Sequence, residues 1–156
     1  MSDYRKRPPR LERVFSTYDA PLYFVTMVAW KRQGLLASEL VHDALVSHAV
    51  FQEAIGVGIG RYVVMPDHLH LFIRVGGDQT LSASIKFLKQ AITKALRVSQ
   101  PDLRVWQPGF FDHLMRNNES YYEKWAYVRE NPVRAGLVEN ADMWPYQGEI
   151  VRIDRV

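Results

Sequence analysis

Arg61-Tyr-Val-Val-Met-Pro-Asp-His-Leu-His-Leu-Phe-Ile-Arg-Val75 reads as two strands joined at Pro66-Asp67. Both halves are dense in β-branched and aromatic residues, and the turn between them is too short for a crossover, so the strands pair as an antiparallel hairpin. Upstream, Leu22 to Ala29 has the same composition and follows Pro21, which predicts a first strand. Between them Ser38 offers an N-cap for a helix running to about Ala54, with Val41, Leu45, His48 and Ile55 near one stripe. Downstream, Thr80 opens a second helix. Its apolar positions Leu81, Ile85, Leu88, Ile92 and Leu96 fall on one side at about 100° per residue.

Gly109 to Arg116 predicts a fourth strand. Asn117 or Asn118 can cap a third helix from Glu119 to about Asn131, where Pro132 discourages continuation. The order is β-α-β-β-α-β with one added helix, an α+β arrangement of ferredoxin-like split type with two helices on one face of an antiparallel sheet. Residues 19–156 form a single domain preceded by an arm, residues 1–18. The topology alone carries many unrelated activities.

Of 156 residues, 47% are hydrophobic and 24% charged, the balance of a globular domain. The absence of cysteine excludes disulfides, thiolate nucleophiles and Cys-type metal sites, and suits a reducing cytoplasm. No apolar run approaches the roughly 18 residues of a membrane span, and no apolar stretch follows the charges of Met1 to Arg10, so no secretory leader is expected. The formal net charge is only +3. Its distribution matters more: Arg5, Lys6, Arg7, Arg10 and Arg13 crowd the arm, and Lys86, Lys89, Lys94 and Arg97 share the polar side of the second helix. With Arg116 these could track a phosphate backbone, although solvated faces carry such charges too.

His68 and His70 alternate with Leu69 on a strand, so both imidazoles face one way and can chelate one divalent ion. A pair of polar residues on a wet face satisfies the same spacing. The neighbours Tyr62, Val64 and Phe72 on that face would not make an ordinary wet surface. Without cysteine or a Gly-x-Ser-x-Gly elbow, tyrosine is the available nucleophile. The third helix holds Tyr121, Tyr122 and Tyr127, with Trp125 among them, and residue chemistry does not choose between the tyrosines. Tyr127 lies one turn before Asn131, which could add an oxygen to a hard cation. His113 is a supporting candidate. His48 reads as a core histidine and His42 as a surface one.

These residues resemble the single-tyrosine HUH (His–hydrophobic–His) transposases, and within them the REP-associated tyrosine transposases. Tyr23-Phe-Val-Thr26 looks like the first strand of that family, and Val64-Met-Pro-Asp-His-Leu-His-Leu71 its metal-binding hairpin. Trp106-Gln-Pro-Gly-Phe-Phe-Asp-His113 is similar to the approach to strand four. Tyr127-Val-Arg-Glu-Asn-Pro-Val-Arg-Ala-Gly-Leu-Val138 resembles its most diagnostic motif, and Trp144-Pro-Tyr146 its closing signature.

The resemblance implies Tyr127 as nucleophile, Mg²⁺ or Mn²⁺ on His68 and His70, and Asn131 completing the site where better-known relatives have glutamine. It implies cleavage of single-stranded DNA through a 5′-phosphotyrosine, followed by rejoining. The implied substrate is a hairpin from repetitive extragenic palindromes with a flanking tetranucleotide. The basic arm and second helix would grip it. The REP-associated branch is expected to act as a monomer, whereas classical relatives are dimers. A ferredoxin-like module that binds nucleic-acid hairpins without cutting is the alternative.

Overall fold

The computed structural model describes residues 20–153; the basic arm with Arg5, Lys6, Arg7, Arg10 and Arg13 lies outside them. Five strands, β1 (Leu22–Val28), β2 (Val57–Val64), β3 (His68–Val75), β4 (Phe111–Met115) and β5 (Gln147–Glu149), form one sheet in the order β4-β1-β3-β2-β5. Every pairing is antiparallel. The helices are α1 (Glu39–Glu53), α2 (Leu81–Leu96), α3 (Asn118–Val128) and the single turn α4 (Asn131–Arg134). The predicted ferredoxin-like sheet is present, with α3 added to it.

Local chemistry sets the boundaries. Ser38, Thr80 and Asn117 each cap a helix by accepting from the backbone N–H three residues on, at Val41, Ala83 and Ser120, which satisfies a donor that the first turn leaves unpaired. On α2 all five apolar positions of the predicted stripe are buried. On α1 the stripe is Val41, Leu45, Ala49 and Gln52; Ile55 lies beyond the helix end, and His48 is half-buried beside Gln52, whose amide donates to its ring at 2.7 Å. His42 is also half-buried, its Nε2 2.7 Å from the Tyr62 hydroxyl.

The sheet is covered on both sides. One face carries Tyr23, Val25, Met27, Leu69, Leu71 and Ile73 against α1 and α2. The other carries Leu22, Phe24, Val63 and Phe72 under Tyr121 and Val128 of α3 and Trp144. Tyr62 and Val64 belong to the first face, opposite Leu71 and Leu69, and not to the histidine face as expected. The tight turn sets this parity by placing Val63, not Tyr62 or Val64, opposite His70, and a bulge between Ile59 and Tyr62 inserts an extra residue further along β2.

Two other expectations change. The third helix does not run to Asn131: it stops at Val128, and Pro132 sits in the first turn of the separate α4, where its missing N–H costs nothing. The segment after Tyr146 is not a bare tail, because β5 pairs along β2, with Arg61, Tyr62 and Val63 opposite Glu149, Gly148 and Gln147.

Candidate metal and nucleophile centre

β3 presents His68 and His70 on the α3 side of the sheet, with ring centroids 4.7 Å apart and edge-on. Register supplies each with a tether. Thr26 of β1 lies directly opposite His70, and its Oγ1 is 2.8 Å from Nδ1 of that ring. Asp67 in the hairpin turn accepts from Nδ1 of His68 at 2.8 Å and pairs with Arg32 at 3.0 Å. With each Nδ1 engaged, the Nε2 atoms are the nitrogens left to bind a metal, the arrangement that orients ligating histidines.

Charge agrees with geometry. Burial first, then repulsion from His68, Lys124 and Arg134, pushes the pKa of His70 down to about 3. The ring therefore keeps a lone pair rather than a proton. Burial raises Asp67, but the hydrogen bond from His68 and the charges of His68 and Arg32 outweigh it, so this carboxyl stays below the usual range. Among the described residues no group of three or more His, Cys, Asp or Glu side chains is placed to hold a metal. Two imidazoles can hold one divalent cation through their Nε2 atoms, with oxygens of substrate or solvent filling its other positions, and these donors alone do not select the metal. Replacing Thr26 by valine removes one tether at nearly constant volume. It is expected to weaken Mn²⁺ binding by about 10–100-fold, read by calorimetry on the free protein.

α3 crosses this face. Tyr121 is buried edge-on against Phe72 at 4.6 Å. Tyr122 and Trp125 join Tyr121 around the guanidinium of Arg61, which lies 5.6 to 5.9 Å from the three rings and 3.5 Å from the carboxylate of Glu149. Arg61 of β2 thus provides a pin for the helix. Tyr127 is 64% exposed and lines a cleft of about 450 Å³ with His113, Arg116 and Lys124. The Lys124 ammonium stands 5.2 Å over Phe24, whose ring stacks on His70 at 5.2 Å. Asn131, the first residue of α4, accepts from Arg134 through its side-chain oxygen, and the Arg134 guanidinium covers the Tyr127 ring at 3.9 Å.

The basic residues divide. Lys86, Lys89, Lys94 and Arg97 line one groove of about 810 Å³ along α2, with Trp106 and Phe110, in the layer behind the sheet. Lys89 donates to the carbonyls of Gln107 and Gly109 at 3.0 and 2.6 Å, and burial lowers its pKa. Arg97 donates to Leu103 at 2.8 Å. Arg116 is not part of that track; it faces the Tyr127 cleft. Residue patterns did not single out Thr26, Asp67, Lys124 or Arg134. For the last two the spacing was legible, one turn before Tyr127 and one turn after Asn131.

Comparison with known proteins gives the family and the fold. A REP-associated tyrosine transposase of Escherichia coli K12 is 32% identical over 89 residues, 56% of this chain and 52% of the relative; the match spans about half of that relative's length. A protein named as a candidate REP-associated tyrosine transposase of Haemophilus influenzae is 26% identical over 136 residues, covering 80% of this chain and 77% of the relative. The solved structure of a REP-associated tyrosine transposase bound to a REP hairpin superposes with a TM-score of 0.66 at 23% identity, over 86% of this chain and 90% of the other, a likeness of fold. The family model described as "Transposase IS200 like" matches residues 18–131, and the chain belongs to that family.

Proposed function

We propose that the protein is a metal-dependent enzyme that nicks and rejoins single-stranded hairpin DNA through a covalent tyrosine. The observation that carries this reading is the pair His68 and His70, tethered at Nδ1, on the face crossed by the helix of Tyr127. When bound, Mg²⁺ or Mn²⁺ would polarise the scissile phosphate. Tyr127 supplies the nucleophile: its phenol oxygen bonds to phosphorus as its proton leaves to solvent, and the bond to the 3′ oxygen breaks, that oxygen taking a proton from solvent to become a free 3′-hydroxyl. The resulting 5′-phosphotyrosine conserves the phosphodiester energy, so a hydroxyl can later displace Tyr127 and rejoin the strand. His113 and Arg116 line the cleft where the flanking strand would lie. Asn131, four residues after Tyr127, would add an oxygen to the metal only on leaving Arg134.

The α2 groove is suited to the hairpin. Lys86 and Lys94 offer charge, and Trp106 an aromatic surface beside a buried-stemmed lysine. The basic arm would extend that grip. Docking of α3 on its own sheet through Arg61 supports a monomer as the working unit, and the cysteine-free sequence suits the cytoplasm.

The test is adduct trapping on a denaturing gel, using purified protein, a labelled hairpin from the repeats flanking its own gene, and Mn²⁺ or EDTA. A metal-dependent covalent band is expected. Cleavage without the band would make water the attacker. Binding without cleavage would leave a hairpin-binding module, a reading that the α2 groove would satisfy by itself.

A further inference from the structure

Three arginines near this centre have carboxylate partners. Arg32 pairs with Asp67, Arg61 with Glu149, and Arg129 with Glu130 and Asp142. Arg134 has none among the described residues. Its guanidinium is instead held by neutral groups, the face of Tyr127 and the side-chain oxygen of Asn131. Lys124 is similar: no carboxylate pairs with it among the described residues, and its ammonium lies over Phe24. Arg116, in the Tyr127 cleft, likewise has no ion pair among the described residues, so three cations without a carboxylate lie around Tyr127. Of the three, the Arg134 guanidinium is the one held against the Tyr127 ring. It is planar, and contact with a ring and an amide fixes it while most of its five donors remain available.

We propose that Arg134 is the phosphate-binding residue of the Tyr127 centre, contacting the phosphate that the phenol attacks, with Asn131 and the Tyr127 ring positioning it beforehand. The inference rests on the reading of Tyr127 as nucleophile. A phosphate fits the vacancy in charge that a carboxylate fills elsewhere. Its oxygens accept two parallel N–H bonds, and such charge-assisted pairs are about twice as strong as neutral ones. A phosphate would therefore outcompete the amide oxygen of Asn131 for the same donors. Charge that builds on the phosphate as the phenol attacks then meets a cation already in place.

The test uses the full chain as wild type, Arg134→Ala and Arg134→Lys, with the same labelled hairpin carrying its single-stranded flank. Binding is measured in EDTA across a salt series, and adduct formation separately in Mn²⁺. Loss of one phosphate contact in Arg134→Ala should reduce the slope of log affinity against log salt by about 0.7. It should also slow adduct formation by about 10²–10³-fold. Arg134→Lys should keep the slope and recover only part of the rate, because an ammonium cannot make the paired contact. An unchanged slope and rate in Arg134→Ala, with a normal wild-type adduct, would overturn the proposal and leave the tyrosine reading intact. A wild type that forms no adduct but loses slope in Arg134→Ala would sink the tyrosine reading and keep Arg134 as a phosphate contact.

Discussion

Replacing Tyr127 by phenylalanine is expected to abolish the covalent protein–DNA band and to cut strand cleavage on the order of 10⁴-fold or more, the scale lost when a covalent nucleophile is deleted. Only the hydroxyl is removed. The ring that carries Arg134 at 3.9 Å remains, and the side chain is 64% exposed, so neither the fold nor hairpin affinity in EDTA should change. Tyr121→Phe is the matched control. Its ring is buried against Phe72, and its adduct yield should stay near wild type. If Tyr127→Phe kept the covalent band, the nucleophile would have to be sought elsewhere, first at the half-exposed Tyr122.

His70→Ala should have the next largest consequence. Thr26→Val, which removes only the tether, is expected to cost about 10–100-fold in Mn²⁺ affinity; deleting the ligand itself should cost more than about 10²-fold. Cleavage should fall in parallel at any Mn²⁺ concentration that saturates the wild type. His68→Ala should behave alike, since its Nδ1 is held by Asp67 in the same manner. Calorimetric titration of Mn²⁺ into the DNA-free proteins reads the effect without reference to turnover. Equal Mn²⁺ affinity in wild type and both variants would refute the two-histidine site. Hairpin binding in EDTA serves as the check that the variants fold, because the α2 groove lies behind the sheet.

Much of this architecture is legible in residue patterns. The span of β3, the caps Ser38 and Thr80, and the α2 stripe all follow from local chemistry that acts within a turn or a strand. What escaped was set at a distance. Gly56, Gly58 and Gly60 look like a break, yet β2 already runs from Val57. A Cβ on Gly60 would come within 2.6 Å of Ile153, and one on Gly58 within 3.0 Å of Val151, so these glycines admit a segment from the far end of the chain. β5 is three residues without strand propensity, drawn into the sheet by the edge of β2. The parity of Tyr62 and Val64 turned on the hairpin register, which sets them opposite Leu71 and Leu69, and a one-residue shift moves a whole strand's side chains to the other face.

The candidate site divides the same way. His68 and His70 could be paired from alternation alone, and Tyr127 with Asn131 from helical spacing. Thr26 becomes visible only through the register of β1 against β3, a contact that spans 44 residues. The sharing of four α2 cations by one groove was readable from a helical wheel. The position of Arg116 on the opposite side was not, because it depends on where β4 joins the sheet.

That join fixes a length. Trp106, Gly109 and Phe110 line the groove behind the sheet, His113 to Asn117 line the cleft in front, and the first half of β4 carries the chain from Phe110 to His113, about 10 Å at 3.4 Å per residue. Edge strand β4 therefore acts as a measuring rod between the place where a folded stem can be gripped and the place where a strand can be cut. An oligonucleotide trimmed below that reach would lodge at one end and never arrive at the other, so shortening the flank should cost cutting before it costs holding.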